Sequence, residues 1–235
     1  MKNKILIFTA TYNESENIVD FLDCIKNLNL QVDILVVDDS SPDKTWEIIQ
    51  NYSKDKKNIY LIIRKKKEGL DTAHKIAFEY ALKNNYEYLI TLDADLSHDP
   101  KIIPKFIEEL KTNTFVIGSR YMKGGECGMT GWRLFLSYFG NKFIKFIFKI
   151  NCNEFTTFYR GYNLKNLNNF HLNSITSKGY SFAMETIYQL NKRKIYIKEI
   201  PISFKGRLKG YSKIPKIELF RTLINVFRLK FFDKD

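Results

Sequence analysis

Cysteine is scarce and odd in number: Cys24, Cys127 and Cys152 are the only three in the chain. None belongs to a Cys-x-x-Cys pair, which argues against a disulfide framework or a thiolate zinc site and suits a reducing cytosol. Long apolar runs are missing as well. The opening MKNKILIFTATYNE has too short an apolar stretch for a signal peptide and no small-residue cleavage site. Nothing approaches about 18 uncharged apolar residues, so no transmembrane segment is expected. Acid is in deficit: 26 Asp and Glu stand against 38 Lys and Arg, a formal net charge of +12. Such an excess favours anionic partners, among them phosphates, nucleic acid and anionic membrane surfaces. There is no internal repeat, low-complexity tract or linker. At 235 residues and 44% hydrophobic content, residues 1–235 read as a single domain with a sizeable core.

What is present is an alternation of apolar runs with helical periodicity. ILIFTA (5–10) reads as a buried first strand before the turn-like TYNESEN. Ile18, Phe21, Leu22, Ile25 and Leu28 then recur at helical spacing. VDILVVDDSSPDKT repeats the order of strand, acidic turn and helix, the helix starting near Lys44. NIYLIIRKK is a third strand, LDTAHKIAFEYALKNN a helix and YEYLITLDAD a fourth strand. This alternation predicts an α/β fold with a mostly parallel central sheet flanked by helices. Ligands in such sheets bind beyond the carboxyl ends of the strands. Glu14, Asp38 with Asp39, and Asp93 with Asp95 should therefore converge on one edge. Turn and capping roles account for Ser41 or Asp43. They account poorly for carboxylates at three successive strand ends, where mutual repulsion calls for a cation or a hydrogen-bonding ligand.

Beyond residue 114 the pattern changes. FVIGSRY reads as another strand, KGGECGMTG as a glycine-rich loop and 131–150 as a helix. Trp132, Phe135, Leu136, Phe139, Phe143, Phe146, Ile147 and Ile150 share one face of that helix. Arg133, Ser137, Asn141 and Lys145 lie opposite, and Leu134, Ile144 and Phe148 are apolar outside the main stripe. Such a helix either packs on the core or lies in a membrane interface. From Lys205 to Lys230 there are eight Lys or Arg residues and one acid, Glu218. Leu219, Phe220, Leu223, Ile224 and Phe227 run among them, so 214–232 reads either as a solvated basic face or as a helix on an anionic membrane.

The Asp-x-Asp of TLDADLSHDP has a direct chemical use at a strand end. One carboxylate can bind a divalent cation while the other contacts sugar or ribose hydroxyls, and hard oxygen ligands suit Mg2+ or Mn2+. By itself the motif is weak. In order with TATYNESEN, VVDDSSPDKT and GLDTA, however, it resembles the inverting glycosyltransferases of family 2, with the GT-A (nucleotide-diphospho-sugar transferase) fold. The motifs GSRY, GGE..G..GWR...S, TTFYRGY, SKGYSFAME and EIPISFKGRLKGYSK extend the resemblance to the polyprenyl-phosphate sugar synthases, above all the dolichol-phosphate mannosyltransferases, over about residues 5–215.

The resemblance implies roles residue by residue. Thr11, Tyr12, Glu14 and Asp39 would hold the nucleotide, with Asp39 recognising the base. Asp93 and Asp95 would bind the donor and its metal, with Ser97 facing the metal or merely capping. Arg207 and Lys213 would clamp the donor diphosphate. Arg120, Arg133 and Ser137 would hold the acceptor phosphate, and Asp95, Arg120 and Arg133 would carry the catalytic charge stabilisation. Glu185 is either a sugar or acceptor contact or a helix-surface residue, and His98 supports the metal loop. Three positions depart from the family: Asp71 and Phe158 stand where relatives carry glycine, and Glu154 where they carry aspartate. Phe158 would add bulk near the sugar or lipid pocket.

The implied reaction moves a sugar, mannose from GDP-mannose first among candidates, onto a polyprenyl or dolichyl phosphate. It would occur at the cytoplasmic membrane face, with the enzyme bound peripherally through its amphipathic helices or through a membrane-anchored partner subunit. The alternative is a family 2 transferase that joins a UDP-sugar to a saccharide hydroxyl. A nucleic-acid-binding module finds no signature beyond charge.

Overall fold

The protein, in a computed structural model that describes residues 4–167, 169–205 and 217–232, is organised around one large sheet. The first half alternates regularly: β1 (Ile5–Thr11), α1 (Ile18–Lys26), β2 (Asp33–Asp38), α2 (Thr45–Ser53), β3 (Ile59–Ile63), α3 (Leu70–Lys83) and β4 (Tyr88–Thr91). The second half adds α4 (Ile103–Leu110), β5 (Phe115–Ser119), β6 (Glu126–Cys127), α5 (Gly131–Phe148) and β7 (Arg160–Asn163). It ends with α6 (Gly179–Lys192), β8 (Ile197–Pro201), β9 (Ser203–Phe204) and α7 (Ile217–Phe231). Among the described residues the main sheet has seven strands in the order β3-β2-β1-β4-β7-β5-β8, and β6 pairs separately with β9. All pairings in the main sheet are parallel except those of β7 with β4 and β5.

Because successive strand residues face opposite sides, each strand feeds two cores. Leu6, Phe8, Leu35, Val37 and Leu89 pack with α3 and α6, whereas Ile7, Ile34, Val36 and Ile90 pack with α1 and α4. Burial on both faces explains why ILIF and ILVV are apolar without interruption. The mostly parallel sheet expected from the alternation is present, and β1, β2 and β4 all deliver their carboxyl ends to one edge.

Sequence reading assigns no strand to TTFYRGY, yet β7 runs through it. An arginine in its first position hides the signal. Arg160 is fully buried, with Nε donating to Thr157 O at 2.8 Å and Nη2 to Phe155 O at 3.1 Å. Next to it, Gly161 lets α4 lie close, since a Cβ there would stand 2.9 Å from Leu110 Cδ1.

Of the two readings open for helix α5, core packing through its aromatic stripe is not what the structure shows, and Asn141, placed on the polar side by the helical wheel, faces inward. The buried residues of α5 are Asn141, Ile144 and Phe148, while Trp132, Phe135, Phe139 and Phe146 of the aromatic stripe are exposed. Asn141 makes this possible: its amide donates to Ser137 O and its carbonyl accepts from Phe155 N–H, both at 2.7 Å, so the polar residue enters the protein satisfied. Helix α7 is two-sided, with Val226 and Leu229 buried and Leu223, Ile224, Phe227, Phe231 and Phe232 at its exposed side and end. The Phe143 and Phe227 rings meet edge to face, 6.4 Å apart, and join the two helices. Among the described residues no helix is long and apolar enough to cross a membrane.

Candidate active site

The part of the edge formed by β1, β2 and β3 is a set of stitched turns. Thr11 and Asp38 are register partners on β1 and β2, and the Thr11 hydroxyl donates to Asp38 Oδ2 at 2.7 Å. Ser41 adds its hydroxyl to the same oxygen at 2.7 Å and its N–H to Oδ1 at 2.8 Å. Asp38 is thus buried inside the turn and spent on holding it. Asp39 faces a different environment. The buried Arg64 guanidinium at the end of β3 pairs with its Oδ1, and the Glu68 and Gly69 N–H groups both donate to its Oδ2 at 3.3 Å. Arg64 also reaches Gly69 O at 2.9 Å, so one side chain fixes Asp39 and the loop before α3 together.

Residues of TYNE lie beside this cluster. The buried Glu14 is placed by its own N–H, which donates to Thr45 Oγ1 at 3.0 Å, and its Oε2 accepts from Asn17 Nδ2 at 2.8 Å. Tyr12 lies under Lys67, whose ammonium is 3.9 Å from the ring centroid. Asp43, bonded to Thr45 and to Ser15 N–H, ties the first turn to the second. Burial pushes its pKa up, but those hydrogen bonds outweigh it and leave the group below its usual value.

The Asp-x-Asp loop leaves β4 with a reversal at Leu96, which adopts φ 59°. That left-handed step, uncommon for leucine, folds Ser97 back so that its N–H and hydroxyl both donate to Asp95 Oδ1, at 3.1 and 2.6 Å. Asp95 is buried, while the Asp93 side chain is 36% exposed. His98 supports the loop from below. Burial lowers its pKa to about 4, so the ring is neutral near pH 7. Its Nδ1 accepts the Asp93 N–H at 3.3 Å, which puts the ring proton on Nε2, facing Thr157 Oγ1 at 3.1 Å. Among the described residues no cluster of three or more His, Cys, Asp or Glu could hold a metal. Asp93, Asp95 and Ser97 nonetheless present hard oxygens of the kind Mg2+ or Mn2+ takes, in a number that Mg2+ normally completes with substrate phosphate and water.

Farther along the sheet, Arg120 follows β5 and is gripped by Glu154. Arg120 Nε donates to Glu154 Oε2 at 2.7 Å, and Nη2 donates to Glu154 Oε1 at 2.8 Å and Thr156 Oγ1 at 2.9 Å. Burial opposes the Arg120 charge, but Glu154 overrides it and raises the guanidinium's pKa. Burial likewise works against the Glu154 carboxylate, and Arg120 holds it below its ordinary range. Ser137 is tied to this neighbourhood by the Tyr121 hydroxyl, which donates to Ser137 Oγ at 2.6 Å. Arg133, one turn earlier on α5, is exposed. Arg207 and Lys213 lie outside the described residues.

The departures fall into place individually. Asp71 starts α3 and accepts from Gly179 N–H at 3.4 Å, which links α3 to the beginning of α6. Phe158 is buried among His74, at 4.6 Å between ring centroids, and Phe182, so it fills core beneath the edge. Glu185 is neither a helix-surface residue nor an open contact. It is buried, and it accepts from Thr176 N–H, Ser177 N–H and Arg228. Arg64 escaped sequence reading because it heads the basic run RKKK; its only distinguishing sign was its place at a strand end.

The sequence pattern of glycosyl transferase family 2 matches residues 6–170. The chain belongs to glycosyl transferase family 2. Among curated relatives, the undecaprenyl-phosphate mannosyltransferase of Micrococcus luteus is 32% identical over 228 residues, which is 96% of this chain and 93% of that protein. The polyprenol monophosphomannose synthase of Mycolicibacterium smegmatis is 32% identical over 214 residues, 90% of this chain and 81% of that one. Two solved structures share the fold. S. aureus TarS in complex with UDP-GlcNAc has a TM-score of 0.58 at 17% identity, covering 95% of this chain and 65% of that one. The Pyrobaculum calidifontis mannosyltransferase PcManGT in complex with GDP-Man and Mn2+ has a TM-score of 0.55 at 16% identity, covering 90% and 59%. The chain therefore spans less than two thirds of either solved chain. This family 2 protein has the GT-A architecture expected from its motifs.

Proposed function

We propose that the protein transfers mannose from a nucleotide-activated donor, GDP-mannose, to a polyprenyl or dolichyl phosphate, with inversion at the sugar. The observation that carries this reading is near full-length similarity to two relatives whose names both specify that product class. The site chemistry supports it. A lipid monophosphate has its second pKa near about 6 and needs no general base at neutral pH. One of its oxygens attacks the anomeric carbon from the face opposite the donor diphosphate. The bond from that carbon to the diphosphate oxygen breaks, and its electron pair leaves with the nucleoside diphosphate.

In this reading Asp39, held by Arg64, recognises the base, with Thr11, Tyr12 and Glu14 lining the nucleotide side. Asp95 and Asp93, with Ser97 behind, hold Mg2+ or Mn2+, which supplies charge neutralisation at the leaving diphosphate; Arg207 and Lys213 serve the same group. Arg120 takes the acceptor phosphate through Nη1, which takes no part in its grip on Glu154, while Arg133 and Ser137 approach from α5. The exposed rings of α5 share a helix with Arg133 and Ser137. Seating those rings in an anionic bilayer at the cytoplasmic face, with or without a membrane-anchored partner subunit, brings the lipid phosphate to Arg120.

The test is a donor screen with GDP-mannose, UDP-glucose and UDP-GlcNAc against undecaprenyl and dolichyl phosphate in Mn2+, with an Asp95→Ala control. Mannolipid from GDP-mannose that vanishes in the control is the expected result. Nucleotide binding that depends on Asp39, with no transfer to either lipid phosphate, would overturn the acceptor assignment.

A further inference from the structure

Arg228 stands at the border between the two sides of α7, with its side chain 42% exposed. Its guanidinium turns inward and makes three contacts. Nη2 donates to Glu185 Oε2 and to Ser177 Oγ, both at 3.0 Å, and Nη1 donates to Thr176 Oγ1 at 3.0 Å. Glu185, from α6, also receives Thr176 N–H at 3.2 Å and Ser177 N–H at 3.1 Å. Two helices thus grip the 174–179 loop between them. The loop does not end in solvent: Ile175 O accepts from Lys75 Nζ at 2.7 Å, and Gly179 N–H reaches Asp71 Oδ1. Both partners belong to α3, which begins directly after the Gly69 amide that bonds Asp39.

The other side of α7 offers Leu223, Ile224, Phe227, Phe231 and Phe232 to whatever lies outside. One rigid helix therefore carries the apolar face and the cation that organises a loop of the catalytic edge. Removing the guanidinium would leave Glu185 buried without a cation, a costly state that the loop amides would have to accommodate. The Arg228 Nε–H is buried with no acceptor among the described residues, so the grip uses three of the five donors that arginine offers.

We propose that Arg228 is a positioning residue that couples the seating of α7 on an anionic bilayer to the conformation of the 174–179 loop, and so to use of the lipid acceptor. This rests on the membrane reading proposed above for α5, extended here to the exposed side of α7. Arg228 touches no substrate in this scheme. It acts through Glu185 and Ser177, and its two-segment fork is a geometry that lysine cannot reproduce.

The experiment compares the wild-type protein with Arg228→Met and Arg228→Lys in the presence and absence of anionic phosphatidylglycerol vesicles. Three quantities are read: flotation with the vesicles, hydrogen exchange of the 174–179 amides, and transfer to vesicle-borne undecaprenyl phosphate relative to a short water-soluble polyprenyl phosphate. Wild-type protein is expected to float, to gain protection at 174–179 on vesicles and to favour the vesicle-borne acceptor. Arg228→Met should still float, because the apolar face is intact. It should lose the vesicle-dependent protection and roughly tenfold of the preference for the vesicle-borne acceptor, with Arg228→Lys in between. Equal losses on both acceptors together with a lowered Tm would mark Arg228 as merely structural and overturn the coupling. So would wild-type exchange at 174–179 that ignores vesicles to which the protein binds. Failure of wild-type protein to float would instead remove the membrane reading itself.

Discussion

At the scale of single residues, the site is held by buried ion pairs more than by free acids. Glu154 is fully buried and both its oxygens serve Arg120. Glu154→Ala should cost about 3–5 kcal/mol in a urea melt, because the guanidinium would stay buried without its anion; Glu154→Asp, which keeps the charge with a shorter reach, should cost less. A second prediction concerns acid. Burial, aided by Arg160, lowers the His74 pKa to about 3 from 6.5. The unfolded chain then binds a proton there that the folded one does not. The His74 contribution to stability is complete above about pH 6.5 and falls by about 1.4 kcal/mol per pH unit below it, down to about pH 3. Replacing His74 with phenylalanine should flatten the fall in Tm between pH 7 and pH 5; an unchanged slope would contradict the assignment. Local contacts were the part that could be expected without coordinates: Asp95, Ser97 and His98 sit within one motif, and the structure bonds Ser97 to Asp95 and His98 to the Asp93 amide. Arg64 and the Glu154–Arg120 pair could not, because each joins segments 25 or more positions apart, and a charge in a basic run does not disclose its partner.

At the scale of elements, α5 and α7 carry the second argument. The helical wheel finds the aromatic stripe of α5 but not its orientation, since periodicity reports which side chains share a face and says nothing of what that face meets. Asn141 settles the orientation by bonding inward, and the rings are left outside. Four large aromatic side chains on one exposed helix face exceed the scattered exposure normal on a surface. Trp132→Ser with Phe135→Ser and Phe139→Ser should abolish flotation with anionic vesicles while leaving Tm within about 2 °C. A variant that floats as well as wild type would show that α5 does not meet the bilayer. The order of the β-α alternation to β4, by contrast, was readable, with ends off by a few residues, because β1, β2 and β4, buried on both faces, advertise themselves as unbroken apolar runs.

At the scale of the whole molecule, the net charge of +12 acts together with the apolar face. Association with anionic vesicles should weaken steeply as salt rises from 50 to 500 mM, and association with neutral vesicles should stay weak throughout; salt-independent binding would assign the contact to the apolar side chains alone. The placement of β7 has a consequence of another kind, for synthesis. Strands β4 and β5 follow one another along the chain but never touch. Each waits for β7, which leaves the ribosome some 40 residues after β5. Until then the nascent sheet exposes two unpaired edges at its centre, beside the Asp-x-Asp loop that follows β4. A chain stopped at residue 150 should therefore be aggregation-prone and lack a cooperative unfolding transition, however complete its nucleotide-side motifs are. The last central strand to be made closes the sheet, so a half-built chain should present no ordered strand edge for a ligand to meet.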